Sequence, residues 1–308
     1  SAPRPFEVPN VKESDRPALV RRGSILIWLG VTAILVGACV ALWMQNRAMK
    51  KVLYPWKTEP TVAALWSQFV DGNRGTDVVV ADQSFLLLQN IDKRSFSFDD
   101  YLNRNYITQL QTQNINPDMR TVLNLLASKT MGSMGELRLA QRILALDPQG
   151  KNIHIYNARE YTSLLLARDN VILIGSSNSN PWQELFAGQL NFLEKPNSDG
   201  LSPITNRAPR PGEQAIYATE ADPLGYCIVA YLPNPNHSGK VLLIGGTSAE
   251  STEAGGDFLL SEEQLSGFQK KLHVAKLPYF EVLLKTSEAT DTPFATAIAA
   301  YRTYPGLQ

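Results

Sequence analysis

Residues 171–182 read VILIGSSNSNPW, and residues 240–252 read KVLLIGGTSAEST. In each stretch, a short apolar run is followed by a polar turn and then by the start of a helical pattern. A run that is apolar at every position is typical of a strand covered on both faces, as in the parallel sheets of α/β proteins. The two stretches therefore predict strand–turn–helix units of a mostly parallel sheet.

The same alternation continues over residues 61–308, and it shows none of the internal periods of about 20 to 50 residues that mark repeat proteins. It predicts one globular α/β domain with a doubly wound sheet, Rossmann-like or flavodoxin-like. The predicted strands are residues 77–81, 152–156, 171–174, 227–232, 240–244 and 279–284. The predicted helices are residues 62–70, 98–104, 117–127, 132–146, 159–167, 181–187, 249–259 and 261–272, with capping residues at Ser97, Asn157, Asn180 and Ser248.

Ahead of this domain, residues 24–44 read SILIWLGVTAILVGACVALWM, which contains no charged side chain. A helix of that length rises about 30 Å, which is the thickness of the hydrocarbon core of a bilayer. Trp28 and Trp43 lie near its two ends, where indole rings commonly anchor a helix at the membrane interface. The sequence therefore predicts a single-pass signal anchor, a transmembrane helix over residues 24–45.

Two processing alternatives compete with a permanent anchor. Arg21 and Arg22 followed by an apolar run resemble a signal peptide, and residues 36–39 (VGAC) resemble a lipobox that would lipidate Cys39. The apolar run continues past Cys39 to Met44, which favours a retained helix with Cys39 as a small apolar residue on its surface.

The charges that flank the span do not decide its orientation. Within fifteen residues of the span, four basic residues lie on each side: Lys12, Arg16, Arg21 and Arg22 before it, and Arg47, Lys50, Lys51 and Lys57 after it. The leading tail is short and polar, whereas a large domain can be translocated regardless of a few flanking charges. We therefore expect a cytoplasmic N-terminus and a periplasmic C-terminal domain in a bacterial cell membrane.

The segments around the span carry no folded domain of their own. Residues 1–23 form a polar, proline-rich tail without hydrophobic periodicity. Residues 46–60 are predicted to be a basic juxtamembrane linker, with Tyr54 and Trp56 as further membrane-interface anchors. The proline-rich residues 196–223 are predicted to be a surface excursion of the domain, with an interface loop as the alternative.

Composition excludes some partners. Lys plus Arg and Asp plus Glu both number 29, so the chain has no field of either sign to attract nucleic acid, and no nucleic-acid partner is expected. The two cysteines are Cys39, inside the apolar segment, and Cys227, in a predicted strand. No disulfide between them is expected, because Cys39 would have to leave the bilayer.

Polar turns follow three of the predicted strands and form the candidate ligand site. Backbone N–H groups at such turns face the carboxyl edge of a parallel sheet, where α/β proteins commonly bind ligands. A small polar ligand there would use five side chains: Ser176, Asn178, Asn180, Thr247 and Ser248. The competing interpretation is that these residues only cap helices. Neither glycine turn matches a phosphate-binding motif, so no nucleotide or other cofactor is expected.

Catalytic signals are weak. The three histidines, His154, His237 and His273, are not spaced as metal ligands, and no G-x-S-x-G motif of a serine hydrolase occurs. We therefore expect neither a metal site nor enzymatic activity.

The predicted membrane helix carries a stripe of small residues. Gly30, Ala33, Gly37 and Val40 follow one another at intervals of three or four, so they share one side of the helix. Small residues allow two helices to approach closely in lipid. This stripe is the predicted contact with other membrane-protein subunits.

Three runs resemble a known group of proteins: VILIGSSNSNPWQELF, GYCIVAYLPNPNHSGKVLLIGGTSAESTEAGGDFL and LPYFEVLLKT. They resemble the C-terminal region of acidobacterial winged-helix transmembrane regulators, over roughly residues 60–305 of this chain. The resemblance implies one span, an extracytoplasmic α/β domain and a sensory role. Residues 1–23 do not match the winged-helix domain of those regulators, so a transcription-factor function is not implied.

Three functions follow from these observations, in order of preference. The first is a membrane-anchored, non-catalytic accessory or scaffold subunit of a multisubunit membrane complex, because the chain combines an anchor and a folded domain without an output or catalytic motif. The second is an extracytoplasmic ligand-binding sensory domain. The third is an enzyme that acts on a small polar substrate.

Overall fold

The computed structural model describes residues 18–195, 202–217, 225–287 and 295–304. The chain divides into two compact units, with the boundary between Leu53 and Tyr54. The tail predicted for residues 1–23 lies largely outside the described residues.

The first unit is one long helix, α1 (Ala18–Leu53). Its part from Ile27 to Leu53 is long and apolar enough to cross a membrane, and its side chains there are exposed in the isolated chain. A helix satisfies all of its backbone hydrogen bonds internally, so lipid can surround it on every side. The finding is compatible with the predicted anchor, although a signal sequence shares these properties. The helix continues beyond residue 45 through most of the predicted linker.

The second unit contains a seven-stranded sheet, whose strands are β1 Thr76–Val80, β2 Ile153–Asn157, β3 Asn170–Ile174, β7 Tyr226–Pro233, β8 Lys240–Gly246, β9 Phe280–Ser287 and β10 Ala295–Thr303. Their order in the sheet is β10-β9-β7-β8-β3-β1-β2. The core strands β2, β1, β3 and β8 are parallel, while β7, β9 and β10 run antiparallel to their neighbours. A separate three-stranded sheet consists of β4 Phe192–Glu194, β5 Ile204–Asn206 and β6 Ile216–Tyr217.

All six predicted strands are present, and the predicted α/β class with a mostly parallel core is confirmed. The predicted strands at 227–232 and 279–284 are antiparallel, and β10 was not predicted. The proline-rich excursion contributes β5 and β6, while residues 196–201 and 218–224 of it lie outside the described residues.

Helices pack on both faces of the large sheet. One face is covered by α2 (Pro60–Val70), α7 (Met134–Leu144), α9 (Ala249–Leu260) and α10 (Glu262–Lys271). The other is covered by α3 (Gln83–Asp92), α4 (Phe98–Leu102), α5 (Asn105–Gln111), α6 (Pro117–Ser128), α8 (Ser163–Arg168) and the 3₁₀ helix Pro181–Phe186. Alternate residues of β1 and β3 belong to the two cores, which is why residues 78–80 and 171–174 are apolar at every position.

The small sheet is held to the large one by buried polar contacts. Glu281 of β9 accepts hydrogen bonds from the backbone N–H groups of Asn191 and Phe192, at 2.8 and 2.7 Å. Arg302 of β10 pairs with Glu213 at 2.6 Å. These contacts fix β4 beside the edge of the large sheet, where it lines a cavity described below.

The prediction that Trp56 is a membrane-interface anchor is wrong. Its indole is buried in the core of the second unit, and its Nε1 donates to the carbonyl oxygen of Leu146 at 3.0 Å. Trp56 therefore stabilises the domain and does not reach a headgroup layer. Tyr54 is half-buried against the same core. The folded unit consequently begins at Tyr54, ahead of the predicted boundary at residue 61.

Candidate functional site

The turn after β3 is built around Asn180. Its Nδ2 donates to the carbonyl oxygens of Val79 and Ile174, both at 3.0 Å, and so ties together the ends of β1 and β3. Ser176 and Ser179 hydrogen-bond to each other within the same turn, with their Oγ atoms 3.1 Å apart. Asn180 and Ser176 thus hold the turn in shape.

The turn after β8 is closed in a similar way. Ser248 and Ser251 form a reciprocal capping box at the start of α9. The hydroxyl of Thr247 accepts a hydrogen bond from the backbone N–H of Tyr226 at 3.0 Å. Both predicted ligand-binding residues of this turn therefore make local structural hydrogen bonds.

Ser177 and Asn178 form a polar cluster with β4. The backbone N–H and the hydroxyl of Ser177 donate to Oε2 of Glu194, at 2.9 and 3.0 Å. Asn178 Nδ2 donates to Ser202 Oγ at 3.3 Å, and the Ser202 hydroxyl in turn contacts Glu194. The turn after β3 and the small sheet thereby share one hydrogen-bond network.

A cavity of about 280 Å³ opens beside this network. It lies between α3, the turn after β3, the 3₁₀ helix Pro181–Phe186 and β4. Its walls are largely apolar, and they include Phe85, Phe96, Leu190, Phe192 and Ile228. Pockets that bind small molecules commonly combine such walls with a few fixed polar groups, which here include Asn178 and Glu194.

Of the five predicted ligand-binding residues, the structure places Asn178 in the lining of this cavity; Ser176, Asn180, Thr247 and Ser248 are outside it. Glu194 was missed because it lies in a three-residue strand remote in sequence from the polar turns. An isolated acidic residue before a proline-rich stretch gives no signal of a binding role. Burial raises the pKa of Glu194, and the hydrogen bonds from Ser177 and Ser202 oppose that rise.

A second buried carboxyl, Glu136, lies behind the turn after β3. It is in the first turn of α7, and Gln83 Nε2 donates to its Oε1 at 2.8 Å. Its Oε2 has no hydrogen-bond partner among the described residues, and burial raises its pKa. Gly175, at φ +108°, leaves room for it, since a Cβ there would lie 2.9 Å from Oε1 and 2.5 Å from the Cβ of Ala81.

A buried ion pair stands at the neighbouring strand ends. Arg159 Nε lies 2.6 Å from Oδ2 of Asp82, and Nη2 lies 3.0 Å from Oδ1. The same guanidinium donates to the carbonyl oxygens of Leu126 and Ala127, which end α6. Asp82 also caps α3. The pair joins two helix termini, and its donors and acceptors are occupied by the protein itself.

The histidines are dispersed. His154 is half-exposed on β2, with Nδ1 3.9 Å from the buried Asp77 of β1. His237 and His273 occupy turns with left-handed backbone. In the described part of the chain, no group of three or more His, Cys, Asp and Glu residues could hold a metal ion.

The predicted membrane-helix stripe is open along its length. Neither Gly30 nor Gly37 has an atom within 4 Å of the position where a Cβ would stand. Ala33 and Val40 are exposed, as are Trp28 and Trp43, and Arg47 stacks over the ring of Trp43 at 5.3 Å. Its role as an interface stays a prediction.

Comparison with known proteins gives no relative: no protein-family model matches the chain, and no curated protein matches it significantly. The resemblance to winged-helix transmembrane regulators therefore stays a prediction.

Proposed function

We propose that this chain is a membrane-anchored, non-catalytic accessory or scaffold subunit of a multisubunit membrane complex. In this proposal α1 crosses the bilayer with its N-terminus in the cytoplasm. The α/β domain lies in the periplasm, where it covers or stabilises the assembly.

The observation that carries the proposal is an exposed apolar face on two packed helices, α3 and α6. Leu87 and Ile91 form an exposed row on α3, and α6 presents Met119, Val122 and Leu125 at intervals of three. Leu125 is 56% exposed. Exposed apolar side chains grouped on neighbouring helices commonly mark a protein–protein contact, and methionine adapts well to such surfaces.

The polar turns are consistent with a role that is not catalytic. Ser176, Asn180, Thr247 and Ser248 each make hydrogen bonds within the protein that serve the fold, while Oδ1 of Asn180 has no hydrogen-bond partner among the described residues. These internal contacts support a subunit whose surface, and not a reactive centre, carries its function.

Paired substitutions on α6 test the proposal. Val122→Asp together with Leu125→Asp should release the tagged full chain from its partners, because burying a charge at an interface is costly. The control is Leu164→Asp, which places one aspartate at a 75% exposed leucine on α8, and each single α6 variant is compared with it. If the partners co-purify with the α6 double variant as well as with the control, the apolar face is not the contact.

A ligand-binding sensory domain is the second candidate, and the cavity beside Glu194 favours it. We propose further that the domain is doubly wound and flavodoxin-like. The strand order β2-β1-β3-β8 supports this, as does the placement of α7 and α8 on opposite faces. A ligand at 100 times its Kd should stabilise the domain by about 2.7 kcal/mol, so a thermal-shift screen would detect it.

A further inference from the structure

The cavity beside β4 presents acceptors to any bound molecule. Glu194 is half-buried, and its Oε2 accepts two hydrogen bonds from Ser177. Glu184 lies at the exposed rim. Lys195 is the one basic residue in the described lining, and it is exposed to solvent. A bound anion would face two carboxylates.

The apolar walls favour a compact cation with a hydrocarbon body. Phe85, Phe96 and Phe192 all line the cavity, and the rings of Phe85 and Phe96 are 6.1 Å apart. Aromatic faces attract ammonium groups. Phe96 and Phe192 each already have a guanidinium 5.1 Å from the ring centre, from Arg94 and Arg302.

We propose that this cavity binds a small primary ammonium compound with an apolar body of about one ring, its ammonium group hydrogen-bonded to the Glu194 carboxylate. The size follows from the volume of about 280 Å³, which is at the low end for ligand pockets. The half-buried Glu194 carboxylate has lost part of its hydration, and a bound cation offsets that loss. The inference rests on the second proposed function, ligand binding, and is independent of the subunit role.

Three probes of matched shape test the charge of the ligand: benzylamine, benzyl alcohol and benzoate. Isothermal titration of the full chain in nanodiscs should show benzylamine binding at least about tenfold more tightly than benzyl alcohol, since the ammonium group forms an ion pair with the Glu194 carboxylate whereas the alcohol offers it only a neutral donor. Benzoate should bind most weakly. Ala187→Phe, which fills the cavity at a half-buried lining position, should abolish all binding and so exclude uptake by lipid.

Two charge variants then assign the counter-ion. Glu194→Gln should remove the preference for the amine while benzyl alcohol still binds, and Glu184→Gln, an equal change at the rim, should leave the preference intact. If only Glu184→Gln removes it, the assignment to Glu194 is wrong. Equal or stronger binding of benzyl alcohol or benzoate to the unmodified chain overturns the cation class but keeps ligand binding. If none of the three probes binds, the proposal is wrong. If the broader thermal-shift screen also detects no ligand, the ligand-binding function is wrong too. If Glu194→Gln does not fold, the relative affinities of the three probes and the effect of Ala187→Phe still test whether the cavity binds a cation.

Discussion

Asp77 shows how a single buried residue makes stability depend on pH. Its side chain is fully buried on β1, and Tyr161 donates to its Oδ2 at 3.0 Å. Burial raises its pKa from 3.8 to about 6, against the opposing hydrogen bond of Tyr161. The folded state therefore binds this proton more tightly than the unfolded state. Its stabilising contribution is complete below about pH 4 and is lost as the pH rises through about 6.

We expect Asp77→Asn to stabilise the protein at neutral pH, because asparagine keeps an acceptor for Tyr161 without a charge to bury. The gain should be about 2 to 3 kcal/mol above pH 7 and should vanish below about pH 4. Urea unfolding across this pH range measures it. Glu160→Gln, at an exposed carboxylate, is the control, and parallel pH profiles for the two variants would refute the expectation.

The Asp82–Arg159 pair makes a second prediction at this scale. Arg159→Met keeps most of the side-chain volume but leaves the Asp82 carboxylate buried without its cation, which should cost about 3 to 5 kcal/mol. Adding Asp82→Asn should restore much of that loss. Denaturant unfolding of both variants decides it. A loss below about 1 kcal/mol for Arg159→Met would show that the pair is dispensable.

At the scale of elements, the apolar strands were predictable because burial on both faces leaves a continuous hydrophobic run. The direction of each strand was harder to predict from the sequence, although one feature indicated that β7 and β8 are antiparallel. Residues 234–239 between β7 and β8 are too few for a parallel crossover, which takes a dozen or more. The sequence ATAIAAYRT of β10 is rich in alanine, and only pairing with β9 makes it a strand.

The candidate site was predictable only in part, because its residues come together through contacts between segments that are remote in sequence. The sequence locates the polar turn that contains Asn178, because the turn follows an apolar strand. It also predicts the Ser248 cap of α9, which is confirmed, but Asn180 does not cap the following helix with its side chain and instead donates to the ends of β1 and β3. Glu194 reaches the cavity only because Glu281 fixes the small sheet beside the large one, and that contact joins residues remote in sequence.

The stripe on α1 gives a prediction at the element scale. Gly30→Leu together with Gly37→Leu should release the chain from helix partners in the membrane without unfolding it, because both sites are open within the chain. The control is Thr32→Leu together with Cys39→Leu, which has the same seven-residue spacing on the other side of the helix. Co-purification from native membranes is the readout, and unchanged recovery of partners would show that the stripe is not an interface.

At the scale of the whole molecule, the position of Trp56 predicts where the domain can be cut. A fragment beginning at Tyr54 should fold cooperatively, with helix and strand in its circular dichroism spectrum. A fragment beginning at Thr61 lacks the buried indole and should be about 3 to 5 kcal/mol less stable, as for other large core truncations. Equal stability of the two fragments would place the boundary at residue 61 after all.

The subunit proposal is tested most directly by the native mass of the chain extracted from its own membrane in a mild detergent. We expect the full chain to migrate in a larger particle that contains other polypeptides at a fixed stoichiometry. Recovery of the chain alone, as a monomer or as an oligomer of itself, would contradict the proposal.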